Sequence, residues 1–274
     1  MLCAVTALAP AQSKLQVRVY TSTPDGLWVN STVVYGEKDA ILIDPQFLLS
    51  EAHRVAAGLL ETKKNLTTIY ITHPHADHYF GLAVLKQAFP AAKIVALPET
   101  VAGIKESWDA RYKTWVSEYG ANIPGTGMVL PEPLKDKTLL LEGQKLEIMG
   151  GWMGDAANNS MVWIPSSRAL IAGDILFADA HFNVPRKREE WMKSLDRIAS
   201  LKPAVVIPGH QNTGARNDLT IVDFMKTYMR DFDAALAASK SAAEFATAMK
   251  GRYPNLAMEP TLFKAAEAAF PAQK

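Results

Sequence analysis

The run TTIYIT at positions 67–72 places the strongest constraint on how this chain can fold. It is short and apolar on both faces, a pattern typical of a strand that is buried inside a sheet. The preceding segment, EAHRVAAGLLETKK, carries apolar residues at helical spacing directly behind Ser50. We therefore predict a helix that Ser50 caps, followed by a buried strand.

Strand and helix patterns alternate along the whole chain, without an internal repeat or a low-complexity linker. Segments rich in β-branched residues, separated by turn residues, predict strands at 15–21, 27–35, 39–44, 67–72, 93–97, 137–150, 159–165, 168–174 and 204–208. Helical spacing of apolar residues predicts helices at 51–64, 79–89, 99–119 and 188–200. From Asp218 onward the pattern is helical, with expected interruptions at Gly251 and Pro254.

Charge and composition narrow the classes of partner. The formal net charge of +1 comes from 29 basic and 28 acidic residues that are spread along the chain. No basic stripe indicates nucleic acid or an anionic membrane, so we expect neither as a partner. Cys3 is the only cysteine, which excludes an intrachain disulfide framework and a cysteine-rich zinc site.

The first residues, MLCAVTALAPAQS, resemble part of an export signal. The apolar run ends in Ala7-Leu8-Ala9, a small-x-small pattern that signal peptidases accept, although no Lys or Arg precedes it. We interpret residues 1–13 as the remnant of a signal peptide or a disordered start, and 14–274 as one domain with a helical C-terminal tail. This predicts a periplasmic or secreted protein, with a cytoplasmic one as the alternative. No other stretch approaches the roughly 18 apolar residues that a membrane span needs.

The segment that follows the buried strand, HPHADH, is the strongest functional signal. It places four potential metal ligands, with nitrogen and oxygen donors, within six positions: His73, His75, Asp77 and His78. A lone histidine is usually a satisfied polar residue, but packing does not explain four such side chains at the end of one strand. The segment therefore predicts a metal site, at the strand end where open sheets commonly place their chemistry.

HPHADH, followed by Gly81, closely resembles the H-x-H-x-D-H signature of the metallo-β-lactamase superfamily. Three further motifs match the family in order and spacing: LIDP with Asp44, AGD with Asp174, and PGH with His210. The resemblance implies an α+β fold, a four-layer αββα sandwich, with a one- or two-metal site at the edge between its sheets. It also implies that Asp174 bridges two metals and that His210 is the last ligand.

One ligand of the family pattern is missing from this sequence. Most members carry a histidine before the strand that here reads NSMVWIP, but the stretch GGWMGDAANNSMVWIP contains none. Asp155 falls at the corresponding position, and we favour it as the replacement, because a carboxylate ligates zinc at nearly the distance of an imidazole. Two alternatives stay open: His181 replaces the histidine or donates to the substrate, or Asp155 is only a turn residue. His53, in an early helix, is interpreted as a surface residue.

The family pattern then implies two metal positions, one held by His73, His75 and Asp155, the other by Asp77, His78 and His210, with Asp174 between them. Zinc is the expected metal, with manganese or iron as alternatives because of the oxygen ligands. The chemistry implied is hydrolysis by a metal-bridged hydroxide. Asp77 is a candidate to orient that nucleophile or carry its proton, and Asp44 to hold a ligating histidine.

The expected substrate is a small molecule that contains an ester or lactone and an apolar part. Asp174 makes the sequence look more like the lactonase, thioesterase and phosphodiesterase branches than like zinc β-lactamases. Phosphodiester cleavage, β-lactam hydrolysis and a non-hydrolytic metal-binding or di-iron redox protein are the alternatives. The redox alternative is weakened because such members usually carry an acidic residue at the position of His75.

The predicted helix 99–119 carries a continuous apolar and aromatic stripe. Its members are Val101, Ile104, Trp108, Tyr112, Trp115 and Tyr119. Core packing is one interpretation, and a roof that gives the metal site an apolar pocket is the other.

Overall fold

The computed structural model describes residues 13–185 and 188–271, so the predicted signal remnant lies outside the described residues except for Ser13. Six strands of the first half form one sheet in sequence order. They are β1 (Gln16–Thr21), β2 (Asn30–Tyr35), β3 (Asp39–Ile43), β4 (Asn65–Ile71), β5 (Lys93–Ala96) and β6 (Glu132–Pro133). β1 to β3 pair antiparallel, whereas β3 to β6 pair parallel. The carboxyl ends of β3 and β4 therefore meet at one edge.

The second half forms a five-stranded sheet and a separate two-stranded ladder. Its strands are β7 (Thr138–Leu141), β8 (Gln144–Trp152), β9 (Asn159–Ile164), β10 (Ala169–Ile171), β11 (Phe177–Ala178), β12 (Val205–Ile207) and β13 (His210–Gln211). The five-stranded sheet has the order β12-β10-β9-β8-β7, and β11 pairs with β13 in parallel. The sequence did not predict β11 or β13, because two-residue strands carry no detectable periodicity.

Seven helices among the described residues cover the outer faces of the two sheets. They are α1 (Leu49–Thr62), α2 (Leu82–Ala88), α3 (Pro98–Tyr119), α4 (Arg188–Leu201), α5 (Thr220–Ala238), α6 (Ala242–Arg252) and α7 (Glu259–Ala269). The first three pack against the first sheet and the last four against the second. Among the described residues, no helix combines the length and apolarity that crossing a bilayer requires.

The alternation of side chains along the strands creates the layers. Ile41 and Ile43 of β3 lie in the core between the two sheets, while Ala40 and Leu42 of the same strand face the helices. In the second sheet, Val162 of β9 faces the inner core in the same way. Because both faces of each sheet are covered, central strands are apolar on both sides. The predicted four-layer αββα sandwich is confirmed.

Three local predictions differ from the structure. α1 begins at Leu49 and Ser50 is not its cap; instead, Asn122 accepts a hydrogen bond from the Ser50 amide through its Oδ1, at 2.9 Å. Gly251 does not interrupt the C-terminal helices, since it lies inside α6. One break lies at 239–241, where the side chain of Ser241 caps α6 by accepting from the amide of Glu244. The predicted interruption at Pro254 is confirmed, since this residue lies between α6 and α7.

The predicted strand 27–35 begins only at Asn30. Leu27 and Trp28 adopt positive φ angles of 65° and 55°, so they end a short 3-10 turn instead of extending the strand. This turn brings the backbone of both residues against His210 and Gln211.

Candidate metal centre

Segments that leave the ends of several strands bring the candidate ligands together. His73 and His75 follow β4 directly, and Asp77 and His78 lie in the 3-10 helix Ala76–His78 behind them. The other half of the sandwich supplies the remaining candidates: Asp155 from the connection between β8 and β9, Asp174 after β10, and His210 at the start of β13. The centre therefore lies between the two halves of the molecule.

Glycines permit the backbone to pack tightly around Asp174. A Cβ at Gly209 would lie 2.0 Å from Oδ1 of Asp174, and one at Gly154 would lie 2.4 Å from its carbonyl oxygen. Only glycine fits such positions without a shift of the backbone. The glycine of PGH and the glycine before Asp155 are thus explained by the close approach to this aspartate.

The first group of candidate ligands consists of His73, His75, Asp155 and Asp174. Nε2 of His73 lies 3.2 Å from Oδ2 of Asp174, and Nδ1 of His75 lies 3.0 Å from Oδ2 of Asp155. One ligand atom from each of the four residues lies within 4.8 Å of all the others. Asp155 therefore lies with His73, His75 and Asp174 in one group of potential ligands.

The second group consists of Asp77, His78, Asp174 and His210, with the same spacing of ligand atoms. Nε2 of His78 lies 3.1 Å from Oδ1 of Asp174, and Nε2 of His210 lies 3.3 Å from Oδ2 of Asp77. Asp174 belongs to both groups and contacts histidines of each through its two carboxylate oxygens. This geometry suits a carboxylate that serves two ions.

Several atoms at the centre lack the partners that burial demands. Nε2 of His73, Oδ1 of Asp155 and Oδ1 of Asp174 are buried and make no hydrogen bond of acceptable geometry. Nε2 of His78 faces Nε2 of His210 at 3.4 Å. Buried polar groups are normally satisfied, and imidazole nitrogens and carboxylates are the donors that divalent cations accept. The residues present therefore fit a pair of divalent cations.

The electrostatics of the centre favour cations as well. Burial lowers the pKa of His73, and it opposes protonation of the other histidines too. The neighbouring carboxylates nevertheless outweigh burial: Asp155 raises the pKa of His75 to about 10, and Asp174 raises that of His210 to about 10. The pKa of His78 is also raised, mainly by Asp174 and Asp77. In the metal-free centre, protons on the histidines supply the positive charge that the carboxylates attract.

Buried partners orient two of the histidines. Oδ2 of Asp44 lies 2.9 Å from Nδ1 of His78 and accepts a hydrogen bond of 2.7 Å from the hydroxyl of Thr72. The same hydroxyl lies 2.9 Å from Nδ1 of His73. One carboxylate thus holds His78 directly and His73 through Thr72, so that each presents Nε2 to the centre. The expected role of Asp44 agrees with this geometry, whereas Thr72 was not foreseen.

A backbone carbonyl orients a third histidine. Nδ1–H of His210 donates to the carbonyl oxygen of Leu27 at 2.7 Å. The role of Leu27 could not be predicted from the sequence, because a main-chain acceptor leaves no mark in residue type. Its only signal was the Asp25-Gly26 turn, which bends the chain at this point.

The structure does not bring His181 into either group. Its Nδ1 lies 2.8 Å from the hydroxyl of Tyr228 in α5, and its amide donates to the carbonyl of Ala257. The chain leaves the centre after β11, so His181 enters the core beneath the C-terminal helices, where burial lowers its pKa to about 4. Neither of its predicted roles, replacement ligand or substrate donor, is supported by this geometry. His53 is exposed, as expected.

Each of the two interpretations explains one part of the aromatic stripe of α3. Val101, Ile104 and Trp108 are buried in the core of the first half. Trp115 and Tyr119, nearer the end of the helix, are half-buried and line a cavity with Trp28. Core packing thus explains the first part of the stripe, and a pocket wall explains the last part.

Known proteins resemble this chain in sequence and in fold. The family model described as metallo-beta-lactamase superfamily matches residues 25–210. A metallo-beta-lactamase type 2 of Bacillus cereus is 24% identical over 68% of this chain and 68% of its own length. A hydroxyacylglutathione hydrolase of Tolumonas auensis is 24% identical over 73% of this chain and 66% of its own length.

Among solved structures, a metallo-beta-lactamase family protein from Thermus thermophilus superposes with a TM-score of 0.62 at 21% identity, over 90% of this chain and 91% of its own. A metallo-beta-lactamase from Pontibacter korlensis gives a TM-score of 0.57 at 19% identity, over 81% of this chain and 98% of its own. At these identities the structures establish the fold alone. The family match, which spans most of the chain and contains the two ligand groups, shows that this chain belongs to the metallo-beta-lactamase superfamily.

Proposed function

We propose that this chain is a dinuclear metal-dependent hydrolase, with zinc as its metal, that cleaves an ester or lactone. The main observation that supports this proposal is that two groups of potential metal ligands converge on the shared carboxylate of Asp174, with buried donor atoms that lack hydrogen-bond partners. His73, His75 and Asp155 would hold one ion, and Asp77, His78 and His210 the other. Bound divalent ions supply Lewis acidity, which activates water near neutral pH and polarises a substrate carbonyl.

The charge of the centre favours a neutral substrate. Four carboxylates, those of Asp44, Asp77, Asp155 and Asp174, surround it, and each ion pair that they form within the described residues is with a histidine. These four negative charges balance two divalent ions, so little positive charge remains to attract a phosphodiester. An ester or lactone is neutral at the bond that is cleaved, so its binding does not depend on such an attraction. The two curated relatives are also named for hydrolysis of acyl compounds, a lactam and an acylglutathione.

The partly exposed residues of the centre face the substrate side. The side chains of His75, Asp155 and Asp77 are 20%, 15% and 16% exposed, whereas those of His73 and His78 are fully buried. Asp77 is therefore placed to accept a proton from a water molecule that enters this side. Burial opposes ionisation of Asp77, but His78 and His210 outweigh it and hold its pKa low, so the carboxylate stays ionised.

A metal-titrated activity panel tests this proposal. The protein is stripped with a chelator, reloaded with Zn²⁺ or Mn²⁺, and assayed with p-nitrophenyl acetate, δ-valerolactone, a thioester, bis-p-nitrophenyl phosphate and a chromogenic β-lactam. We expect ester or lactone turnover that depends on metal and that Asp174→Asn abolishes. Faster turnover of the phosphodiester or the β-lactam than of both p-nitrophenyl acetate and δ-valerolactone would contradict the substrate assignment. Turnover that survives the chelator and Asp174→Asn would contradict the metal-dependent reaction itself.

A further inference from the structure

A cavity of about 400 Å³ lies at the seam between the two halves of the sandwich, and Leu27 in its wall contacts the candidate metal ligand His210. Three segments that are remote in sequence line it: the 3-10 turn at 24–28, the end of α3 and the start of α7. Its walls are mainly apolar and aromatic, with Trp28, Trp115, Tyr119 and Met258 as the largest side chains. The volume is that of a pocket for a small organic molecule.

One residue of the cavity wall also orients His210, a candidate metal ligand. Leu27, which lines the cavity, accepts the hydrogen bond from Nδ1 of His210 through its carbonyl oxygen. Its neighbour Trp28 accepts from the amide of Gln211 at 3.1 Å. Both residues keep positive φ angles, which bulky side chains adopt rarely and which persist where surrounding contacts enforce them. A molecule in the cavity would therefore lie against the turn that orients His210.

Core residues pack against the aromatic wall from behind. Phe47 is completely buried and packs its ring edge-on against Trp115 at 5.0 Å and against Tyr119 at 5.2 Å. Trp28 packs on the opposite core, beneath α5 to α7. Because the rings are fixed from behind, a ligand binds between them without the cost of ordering their side chains.

Charges at the mouth restrict what enters. Asp25 and Glu118 contribute two carboxylates, and Lys264 of α7 contributes one ammonium group. Burial, together with Glu118 and Asp25, raises the pKa of Tyr119 to about 12, so its hydroxyl stays neutral. The excess of negative charge disfavours an anionic ligand, while neutral flat groups gain from stacking on the indole and phenol rings.

We propose that this cavity binds the aromatic or other flat apolar acyl group of an uncharged substrate, an inference that rests on the proposed function for the reaction at the adjacent centre. The cavity then determines substrate specificity, because it selects the part of the substrate remote from the bond that is cleaved. Binding of this part adds affinity for long or ring-bearing acyl groups and none for an acetyl group.

Direct binding tests the cavity without any reaction. Zinc-loaded protein is titrated calorimetrically with 2-naphthylacetamide, which is neutral, and with 2-naphthylacetate, its anionic counterpart. We expect the amide to bind more tightly than the carboxylate, and Trp115→Ala to weaken amide binding at least ~10-fold. Trp115 also packs on Phe47, so a second variant, Thr261→Trp, fills the cavity from the half-exposed side of α7 without removing core contacts.

Phe263→Ala is the matched control, since Phe263 is an exposed aromatic residue of α7 that does not line this cavity. Amide binding that is equal in wild type, Trp115→Ala and Thr261→Trp would overturn the inference, as would the absence of binding in wild type. A kinetic arm compares p-nitrophenyl 2-naphthylacetate with p-nitrophenyl acetate, and Thr261→Trp should raise KM for the first more than for the second. Amide binding without hydrolysis of any ester would support the cavity and count against the proposed function alone.

Discussion

The two ligand groups differ in how firmly the protein holds them. In the second group, His78 and His210 are buried, and each is fixed by a partner outside the group, Asp44 or the carbonyl of Leu27. In the first group, His73 alone has such a partner among the described residues, Thr72, while His75 and Asp155 contact each other at the partly exposed side of the centre. The second group is thus prepared for a metal by its surroundings, and the first depends more on the ion itself.

This difference assigns separate tasks to the two positions. A site whose ligands are fixed in advance loses less entropy on binding and holds its ion more tightly. A site with exposed ligands exchanges its ion more easily and leaves room for a substrate. We therefore expect the second position to be the higher-affinity one.

The largest effect is expected from the residue that both groups share. Asp174→Ala removes both carboxylate oxygens from the midst of three buried histidines, so metal content should fall from two ions toward none, with affinity losses of at least ~100-fold. Elemental analysis after dialysis measures this, with circular dichroism to verify the fold. Retention of one full equivalent would show that one group is complete without Asp174.

Asp155→Ala should affect only the first group. We expect one ion to be retained at the second position, whereas Asp155→His should keep the fold and restore or alter binding at the first. His181→Gln is the control, because His181 lies in the core against Tyr228 and should leave metal content unchanged. Two ions in Asp155→Ala, measured by elemental analysis, would return Asp155 to the role of a turn residue.

Proton release should distinguish the two positions. Imidazoles must be neutral to bind a metal, and the raised pKa values of His75, His78 and His210 favour their protonated forms in the metal-free protein. Metal affinity should therefore fall as the pH falls. Because the pKa of His73 is not raised, we expect roughly one proton from the first group and roughly two from the second.

Calorimetric titrations with Zn²⁺ in buffers of different ionisation enthalpy measure these protons. The Asp155→Ala variant should bind Zn²⁺ only at the second position, so its titration measures the larger proton release by itself. Binding heats that do not depend on the buffer would contradict this account of the metal-free centre.

The smallest effect is expected from Thr72→Val. The substitution keeps the shape of the side chain but removes the hydroxyl between Asp44 and His73, so affinity at the first position should fall ~10-fold. The second position should change less, because Asp44 still contacts His78 directly. Thr72→Ser retains the hydroxyl and should behave like wild type in competition with a chromogenic chelator. Equal losses at both positions would indicate a general loss of structure instead.

Much of the fold could be predicted because strands buried on both faces and amphipathic helices have distinct periodicities. The start of α1 was misplaced, since the Ser50 amide is satisfied by Asn122, 72 positions away, and Ser50 itself does not cap the helix. The turn at Leu27 and Trp28 falls inside a predicted strand, because apolar residues with positive φ look like strand residues in a sequence. Local patterns report local structure, and these two features depend on distant contacts.

The sequence alone determined the donor set: histidines and aspartates behind one buried strand, with Asp155 before another. Which of these donors meet was decided only by the tertiary structure. His78 reaches Asp44 across 34 positions, and His210 reaches Leu27 across 183. His181 stands close to Asp174 in sequence but is carried away into the helical core. Burial then gives these groupings their chemistry, because carboxylates and imidazoles that are enclosed together attract the cations that water would otherwise screen from them.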